Sequence, residues 1–134
     1  MNLRVGDVFL IYFDGINSEQ RGVRPGVIIQ NNTGNLHSKN TIAVPLTTSI
    51  KRTEMPTHVV IQKLDSGLQK DSMALCENPQ RISKQRIIRY ITTLSDKYMA
   101  EIAKASVIAM GVISFISIDD LTDIWKDCLR LNHV

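Results

Sequence analysis

Apolar residues in the first two-thirds of the chain fall in short runs that are separated by turn-forming residues. The run 8–13 follows the turn signal Gly6-Asp7, and in the run 58–62 the side chains of Val59 and Ile61 alternate with their neighbours. Runs of this length and spacing are typical of β-strands and predict a small antiparallel barrel. The predicted strands cover residues 8–13, 27–30, 41–46, 58–62, 73–76 and 87–92, with a turn at 31–35.

The last third of the chain changes to a helical period. Ser95 can cap a first helix with Asp96 in its first turn, and a second helix starts at Ser117 with Asp120 three residues on. Apolar residues recur on one face of each helix, and the stripe of the second helix predicts core packing; the fold is predicted to be mostly β with C-terminal helices (α+β). These faces hold Tyr98, Met99, Ile102, Ala105, Ala109 and Val112, and then Leu121, Ile124, Trp125, Cys128 and Leu129.

Length and composition indicate one domain, residues 1–134, that can bury a core without disulfides. The formal net charge of +3 permits a nucleic acid or an acidic partner. Cys76 and Cys128 lie among apolar residues, so we predict two small core residues in a reducing compartment such as the cytoplasm. No signal peptide is visible, and the longest apolar run, near 107–118, is too short for a bilayer, so we expect no membrane contact.

The chain carries no familiar set of catalytic or cofactor-binding residues. His37, His58 and His133 are scattered, and no Gly-rich phosphate loop, nucleophile elbow or triad is present, so we predict no metal and no cofactor. What remains is arginines and hydroxyl residues at predicted strand ends, above all in the polar loop that leads into Pro25. RNA brings its own nucleophile, the 2′-OH, and such residues suit the charge that builds on a reacting phosphate.

Several short motifs occur in a characteristic order along the chain. Gly6-Asp7-Val8-Phe9 is followed by Ser18-Glu19-Gln20, Gly22-Val23-Arg24-Pro25, Ala43-Val44-Pro45-Leu46-Thr47-Thr48, Pro56-Thr57-His58-Val59 and Asp71-Ser72-Met73-Ala74-Leu75. Over residues 3–112 this order resembles the MazF/PemK family of toxin endoribonucleases. The resemblance implies the SH3-like small antiparallel barrel of CcdB and MazF. Residues from about 114 on fall outside it, as a C-terminal helical extension.

The resemblance also implies a role for individual residues. Arg24 corresponds to the main catalytic residue, as a charge stabiliser, and Thr47 corresponds to the hydroxyl that bonds the reacting phosphate, with its neighbour Thr48 as the alternative. His58 is tempting as a base, but a hydrogen-bonded histidine at a strand end is the better interpretation. The predicted RNA-binding residues are Ser18, Gln20, Arg21, Thr48, Lys51, Arg52, Lys84 and Arg86.

The function that the resemblance implies is sequence-specific, metal-independent cleavage of single-stranded RNA to a 2′,3′-cyclic phosphate and a 5′-OH. A homodimer and an acidic MazE-like antitoxin are the implied partners, and the loop 49–55 is the expected place for base choice. One alternative is a toxin of the same fold that binds a protein such as DNA gyrase. Another is a nucleic-acid-binding barrel without activity, for which three Phe, three Tyr and one Trp make a poor stacking platform.

Overall fold

The computed structural model describes residues 2–14 and 22–134. They form an antiparallel sheet, and two longer helices follow the last strand along the chain. The strands lie in the order β4-β5-β3-β2-β1-β7, and β6 pairs with β3 beside β5. Since β4 and β7 end this path, the described sheet is open, and its closure into an SH3-like barrel stays a prediction. The strands are β1 (Asp7–Phe13), β2 (Gly22–Ile28), β3 (Asn40–Thr47), β4 (His58–Ile61), β5 (Ser72–Leu75), β6 (Gln80–Ser83) and β7 (Ile87–Thr93).

Four α-helices of the described chain accompany the sheet: α1 (Asn32–His37), α2 (Lys63–Ser66), α3 (Asp96–Ala109) and α4 (Leu121–Asn132). The turn predicted at 31–35 is wrong, because α1 begins there. Asn31 starts the helix by accepting a hydrogen bond from the Gly34 N–H at 2.8 Å. The buried Asn35 side chain donates to the Gln30 carbonyl and accepts from the Thr41 hydroxyl. Asn31 thus caps a helix and Asn35 lies within it, although the same residue type also favours turns.

Each of the six predicted strands is present, but β2 starts five residues earlier than predicted. Its first residues pair with β1, with Arg24 opposite Ile11 and Pro25 opposite Leu10. Arg24 therefore lies on a strand and not on the loop that the sequence suggested. Pairing with a neighbouring strand explains the difference, because it extends the ladder into residues whose own pattern is polar.

The sheet is buried on both sides by two groups of side chains. On β1 the alternation is clear: Val8 joins the group under α3, and Phe9, Ile11 and Phe13 join the other. The first group also contains Val27 and its neighbours Val44, Leu46, Val59, Ile61, Tyr98 and Ile102. Gly26 lies against the second group, where a Cβ would come within 2.6 Å of Phe13 Cζ. The core thus fixes the strands that carry Arg24 and Thr47.

Helix α3 begins as the sequence predicts, but it ends at Ala109, and Val112, which was predicted on its apolar face, lies beyond it and is 61% exposed. The Ser95 side chain accepts from the Tyr98 N–H, and Tyr98, Ile102 and Ala105 are buried. The Tyr98 hydroxyl donates to Asp65 at 2.6 Å, which ties α3 to α2. Among the described residues, no helix is both long and apolar enough to cross a bilayer.

The core packing predicted for α4 is wrong. Its apolar stripe faces outward, with Trp125 65% exposed. The helix is attached at its C-terminal end instead, where Asn132 bonds the backbone and side chain of Asn32, and the Leu131 carbonyl accepts from Thr33. Polar contacts to α1 therefore hold α4, and they leave its stripe uncovered.

The two cysteines also differ. Cys128, on the α4 stripe, is exposed, so its assignment to the core is wrong. Cys76 is buried as predicted. Burial raises the pKa of the Cys76 thiol to about 11, which keeps it protonated at neutral pH.

Candidate active site

Arg24 and Thr47 lie at the same end of two neighbouring strands. The last paired residues of β2 and β3 are Gly26 and Pro45, and Arg24 and Thr47 each come two residues beyond them. Residues directly opposite in an antiparallel pair share a face, and so do residues two apart along a strand. The β2–β3 register thus places Arg24 and Thr47 on one face of the sheet, just beyond the last paired residues of the two strands.

A groove of about 620 Å³ starts at Thr47, and we call it the Thr47 groove. The Thr47 hydroxyl oxygen accepts from the Ser49 N–H at 3.1 Å. A hydroxyl that accepts one hydrogen bond can still donate its proton, for example to a phosphate oxygen. The groove is lined by Thr47, Ser49, Lys51, Arg52, His58, Met73, Leu75, Glu77 and Asn78.

Thr48 opens into a different groove, of about 250 Å³. There it lies with Pro25, Lys70 and Arg89, and with Leu10, which pairs with both Pro25 and Arg89. Since Pro25 follows Arg24 in β2, its side chain belongs to the opposite face of the strand. The two threonines are therefore separated by the sheet, and it is Thr47 that shares a face with Arg24.

His58 lines the Thr47 groove, and both of its ring nitrogens lie within hydrogen-bond distance of a partner. Its Nδ1 lies 3.0 Å from the Arg52 carbonyl oxygen, and its Nε2 lies 2.7 Å from Glu77 Oε2. Burial of the ring lowers the pKa of His58, but the hydrogen bonds to Glu77 and to the Arg52 carbonyl, together with the Glu77 charge, raise it overall above its ordinary value of 6.5. The prediction of a hydrogen-bonded histidine at a strand end is confirmed.

The basic residues predicted to track phosphates are divided between two places. Lys51 and Arg52 are exposed and line the Thr47 groove, in the loop between β3 and β4. Lys84 donates to the Asn35 carbonyl, and Arg86 bonds Asp14 at 2.9 Å and lies over the Tyr12 ring. Neither Lys84 nor Arg86 lines the Thr47 groove. The predicted residues Ser18, Gln20 and Arg21 lie outside the described residues.

Glu77, Asn78 and Ser49 line the groove although the sequence did not single them out. Glu77 and Asn78 come just after β5, beyond Cys76, and polar residues near a strand end were the available signal. Within residues 2–14 and 22–134, no three His, Cys, Asp or Glu side chains gather as a metal site would require. The site offers hydroxyls, one amide and basic groups, which suit an anion, and its one carboxylate, Glu77, is in contact with His58.

Comparison with known proteins shows the family to which the chain belongs. Residues 4–109 match the family described as PemK-like, MazF-like toxin of type II toxin-antitoxin system. A relative from Staphylococcus saprophyticus named Endoribonuclease MazF is 42% identical over 111 residues, which are 82% of this chain and 92% of the relative. A relative of the same name from Staphylococcus epidermidis is 41% identical over 114 residues, 84% of this chain and 95% of the relative.

A solved mycobacterial structure has the same fold, with a TM-score of 0.68 and 24% identity over 82% of this chain and 96% of that one. It is described as an endoribonuclease in complex with its cognate antitoxin. Together the fold, the groove and these relatives define a toxin of the RNA-cleaving class. The chain belongs to the PemK-like, MazF-like family of type II toxin-antitoxin systems, and it is an endoribonuclease toxin of that family.

Proposed function

We propose that this chain cleaves single-stranded RNA, in particular mRNA, at specific sequences and without a metal ion, leaving a 2′,3′-cyclic phosphate and a 5′-OH. The observation that supports this most is the common face of Arg24 and Thr47, at the open end of β2 and β3. The SH3-like framework of the family would hold these strands, and the cytoplasm, where mRNA lies, would be the place of action.

The proposed reaction is an in-line displacement at phosphorus. The 2′-oxygen bonds to phosphorus, the bond from phosphorus to the 5′-oxygen breaks, and the proton lost by the 2′-OH is balanced by one gained at the leaving oxygen. Arg24 would stabilise the charge on the phosphoryl oxygens with its planar fork of donors, and the Thr47 hydroxyl would donate to one of them. An arginine is charged at any ordinary pH, so charge stabilisation is its main role.

RNA on either side of the reacting phosphate would follow the basic residues. Lys51 and Arg52 line the groove, so they would hold neighbouring phosphates, while the loop 49–55 would contact the bases of an unstacked strand. Lys84 and Arg86 would bind RNA phosphates further from the cleavage site. Ser18, Gln20 and Arg21, which precede β2 in the sequence, complete the proposed RNA contacts together with Thr48.

An acidic MazE-like antitoxin is the proposed inhibitor. The mycobacterial relative is described in complex with its cognate antitoxin, and this chain carries a net charge of +3. Charge complementarity would speed the encounter, and an acidic segment would compete with RNA phosphates for the same basic residues.

The active species is proposed to be a homodimer, because apolar side chains remain exposed on β7 and on α4. Ile88 and Tyr90 are about half exposed, as is Leu129, and pairing of two copies would cover such surfaces. Sedimentation at micromolar concentration should give twice the chain mass of 15.1 kDa. Trp125 is the only tryptophan, so its emission should shift to the blue as α4 is covered. A monomer that still cleaves RNA would contradict the dimer.

Cleavage should continue in the presence of EDTA. Purified protein is incubated with a long RNA in EDTA, and the new ends are mapped and tested for a 5′-OH that polynucleotide kinase can phosphorylate. A mock purification from cells that lack the protein controls for contaminating ribonucleases. Activity that EDTA abolishes and Mg²⁺ or Mn²⁺ restores would refute the metal-independent mechanism. A toxic protein that makes no cuts would point to the protein-binding alternative.

A further inference from the structure

His58 makes two contacts that a neutral imidazole cannot make together. Nδ1 faces the Arg52 carbonyl oxygen at 3.0 Å, and Nε2 faces the carboxylate of Glu77 at 2.7 Å. A carbonyl and an ionised carboxylate only accept hydrogen bonds, whereas a neutral imidazole has a single N–H. Both contacts are hydrogen bonds only when the ring carries two protons. The geometry therefore favours the imidazolium form of His58.

The ring connects two segments that border the Thr47 groove. On one side is the loop between β3 and β4, where Arg52 has a φ of +50°, an uncommon conformation for a residue with a side chain. The Arg52 carbonyl also accepts from the Met55 N–H at 3.1 Å, and the Met55 carbonyl accepts from the His58 N–H at 3.0 Å. On the other side Glu77 follows β5. The His58 side chain is only 7% exposed, whereas the Glu77 side chain is 41% exposed, so the ring is buried while its partner carboxylate reaches solvent.

We propose that His58 is a positioning residue, which as imidazolium holds the loop carrying Lys51 and Arg52 in place for RNA by binding the Arg52 carbonyl and Glu77 at once. This rests on the proposed function of the groove. Because both ring nitrogens are occupied by these partners, His58 has no free nitrogen with which to take the proton of the 2′-OH.

The charged groups around the ring come from three elements. Lys51 and Arg52 belong to the loop between β3 and β4, and Glu77 follows β5. On the far side, Glu101 and Lys104 of α3 share a smaller pocket with His58. Glu77 is the charged side chain in hydrogen-bond contact with the ring, and it favours the protonated form.

The expected pH dependence separates a positioning role from a catalytic one. Since the pKa of His58 is raised in the folded protein, the double contact is complete at and below pH 6.5 and is lost as the pH rises through the raised pKa. Affinity for RNA should therefore fall as the pH rises through this value. A histidine that acts as general base would give the opposite, a rate that increases as the ring loses its proton.

Two variants and a control test the proposal on the full chain with a short single-stranded RNA, across about pH 5 to 8. His58→Gln should raise KM roughly 3–10-fold with kcat little changed, as expected for a lost hydrogen bond, and should remove the pH dependence of KM. Glu77→Gln keeps the shape but loses the charge, so KM should begin to rise at a lower pH. His37→Gln, at an exposed histidine on α1, should match the wild type.

NMR of the His58 ring gives a readout that does not depend on cleavage. Both ring nitrogens should carry protons at pH 6, and the ring should titrate above 6.5 in the wild type and lower in Glu77→Gln. Wild-type protein that shows this titration but cuts no RNA would refute the nuclease function and leave the double contact standing. A ring that titrates below 6.5, or a His58→Gln enzyme that loses kcat with an unchanged KM, would overturn the positioning role.

Discussion

Arg24→Lys should lose RNA cleavage by about 10²–10³-fold while the protein stays folded and still binds RNA. Lysine keeps the positive charge but replaces a planar fork of donors with a single ammonium group, which cannot bond two phosphoryl oxygens in the same geometry. Binding should persist because Lys51 and Arg52 still line the groove. Single-turnover cleavage at saturating enzyme measures the chemical step, and a parallel titration with uncleavable RNA measures binding.

Three other variants give cleavage rates against which the loss in Arg24→Lys can be compared. Arg130→Lys makes the same exchange at an exposed arginine of α4, whose partner is Asp127, and should leave cleavage unchanged. Thr47→Ala removes one neutral hydrogen bond and should cost about 10–10²-fold. Thr48→Ala should reduce the cleavage rate less than Thr47→Ala does, because Thr48 lines the other groove. If Arg24→Ala cleaves at the wild-type rate, the assignment of the site is wrong.

Leu46→Ala should lower the free energy of unfolding by about 2–5 kcal/mol, a large part of the total for a domain of this size. Leu46 is 2% exposed, packs in the group of side chains under α3 and directly precedes Thr47 in β3. Its truncation leaves a cavity that the neighbouring strands can fill only in part. Urea unfolding at one fixed protein concentration measures the change.

Leu64→Ala is the matched control, since it makes the same substitution on α2 at a side chain that is 90% exposed. Its unfolding free energy should stay within about 0.5 kcal/mol of the wild type. Equal losses for the two variants would show that burial at Leu46 is not what stabilises β3. A stable Leu46→Ala protein with weak cleavage would instead point to a displaced Thr47.

Elements that depend on local pattern were predictable from the sequence. The apolar run of β1 and the Ser95 cap of α3 both involve residues that are close along the chain, so hydrophobic pattern and capping residues reveal them directly. The order of short motifs was enough to indicate the family, which the match over 4–109 shows. Local patterns were ambiguous where one residue type serves two structures, as for Asn31, which caps α1 where a turn was expected.

The site depends on contacts between distant parts of the chain. The common face of Arg24 and Thr47 follows from the β2–β3 register, and β2 reaches Arg24 only because β1 pairs with it. The separation of Thr47 from Thr48 is also a property of the sheet. His58 and Glu77 are 19 residues apart and meet because β4 and β5 are neighbours. Residue identity indicates what a group can do, but strand register decides which groups act together.

By itself the sequence determined six of the seven described strands apart from the start of β2, the caps of the C-terminal helices, the family and the residue types available for chemistry, because these depend on near neighbours and on motif order. The tertiary structure decided which face each residue occupies and what covers it. For α4 the spacing of Leu121, Ile124 and Trp125 already required an amphipathic helix. That this face points outward was decided by the bonds of Asn132 and Leu131 to α1, a hundred residues away, because a helical pattern carries no information about its partner.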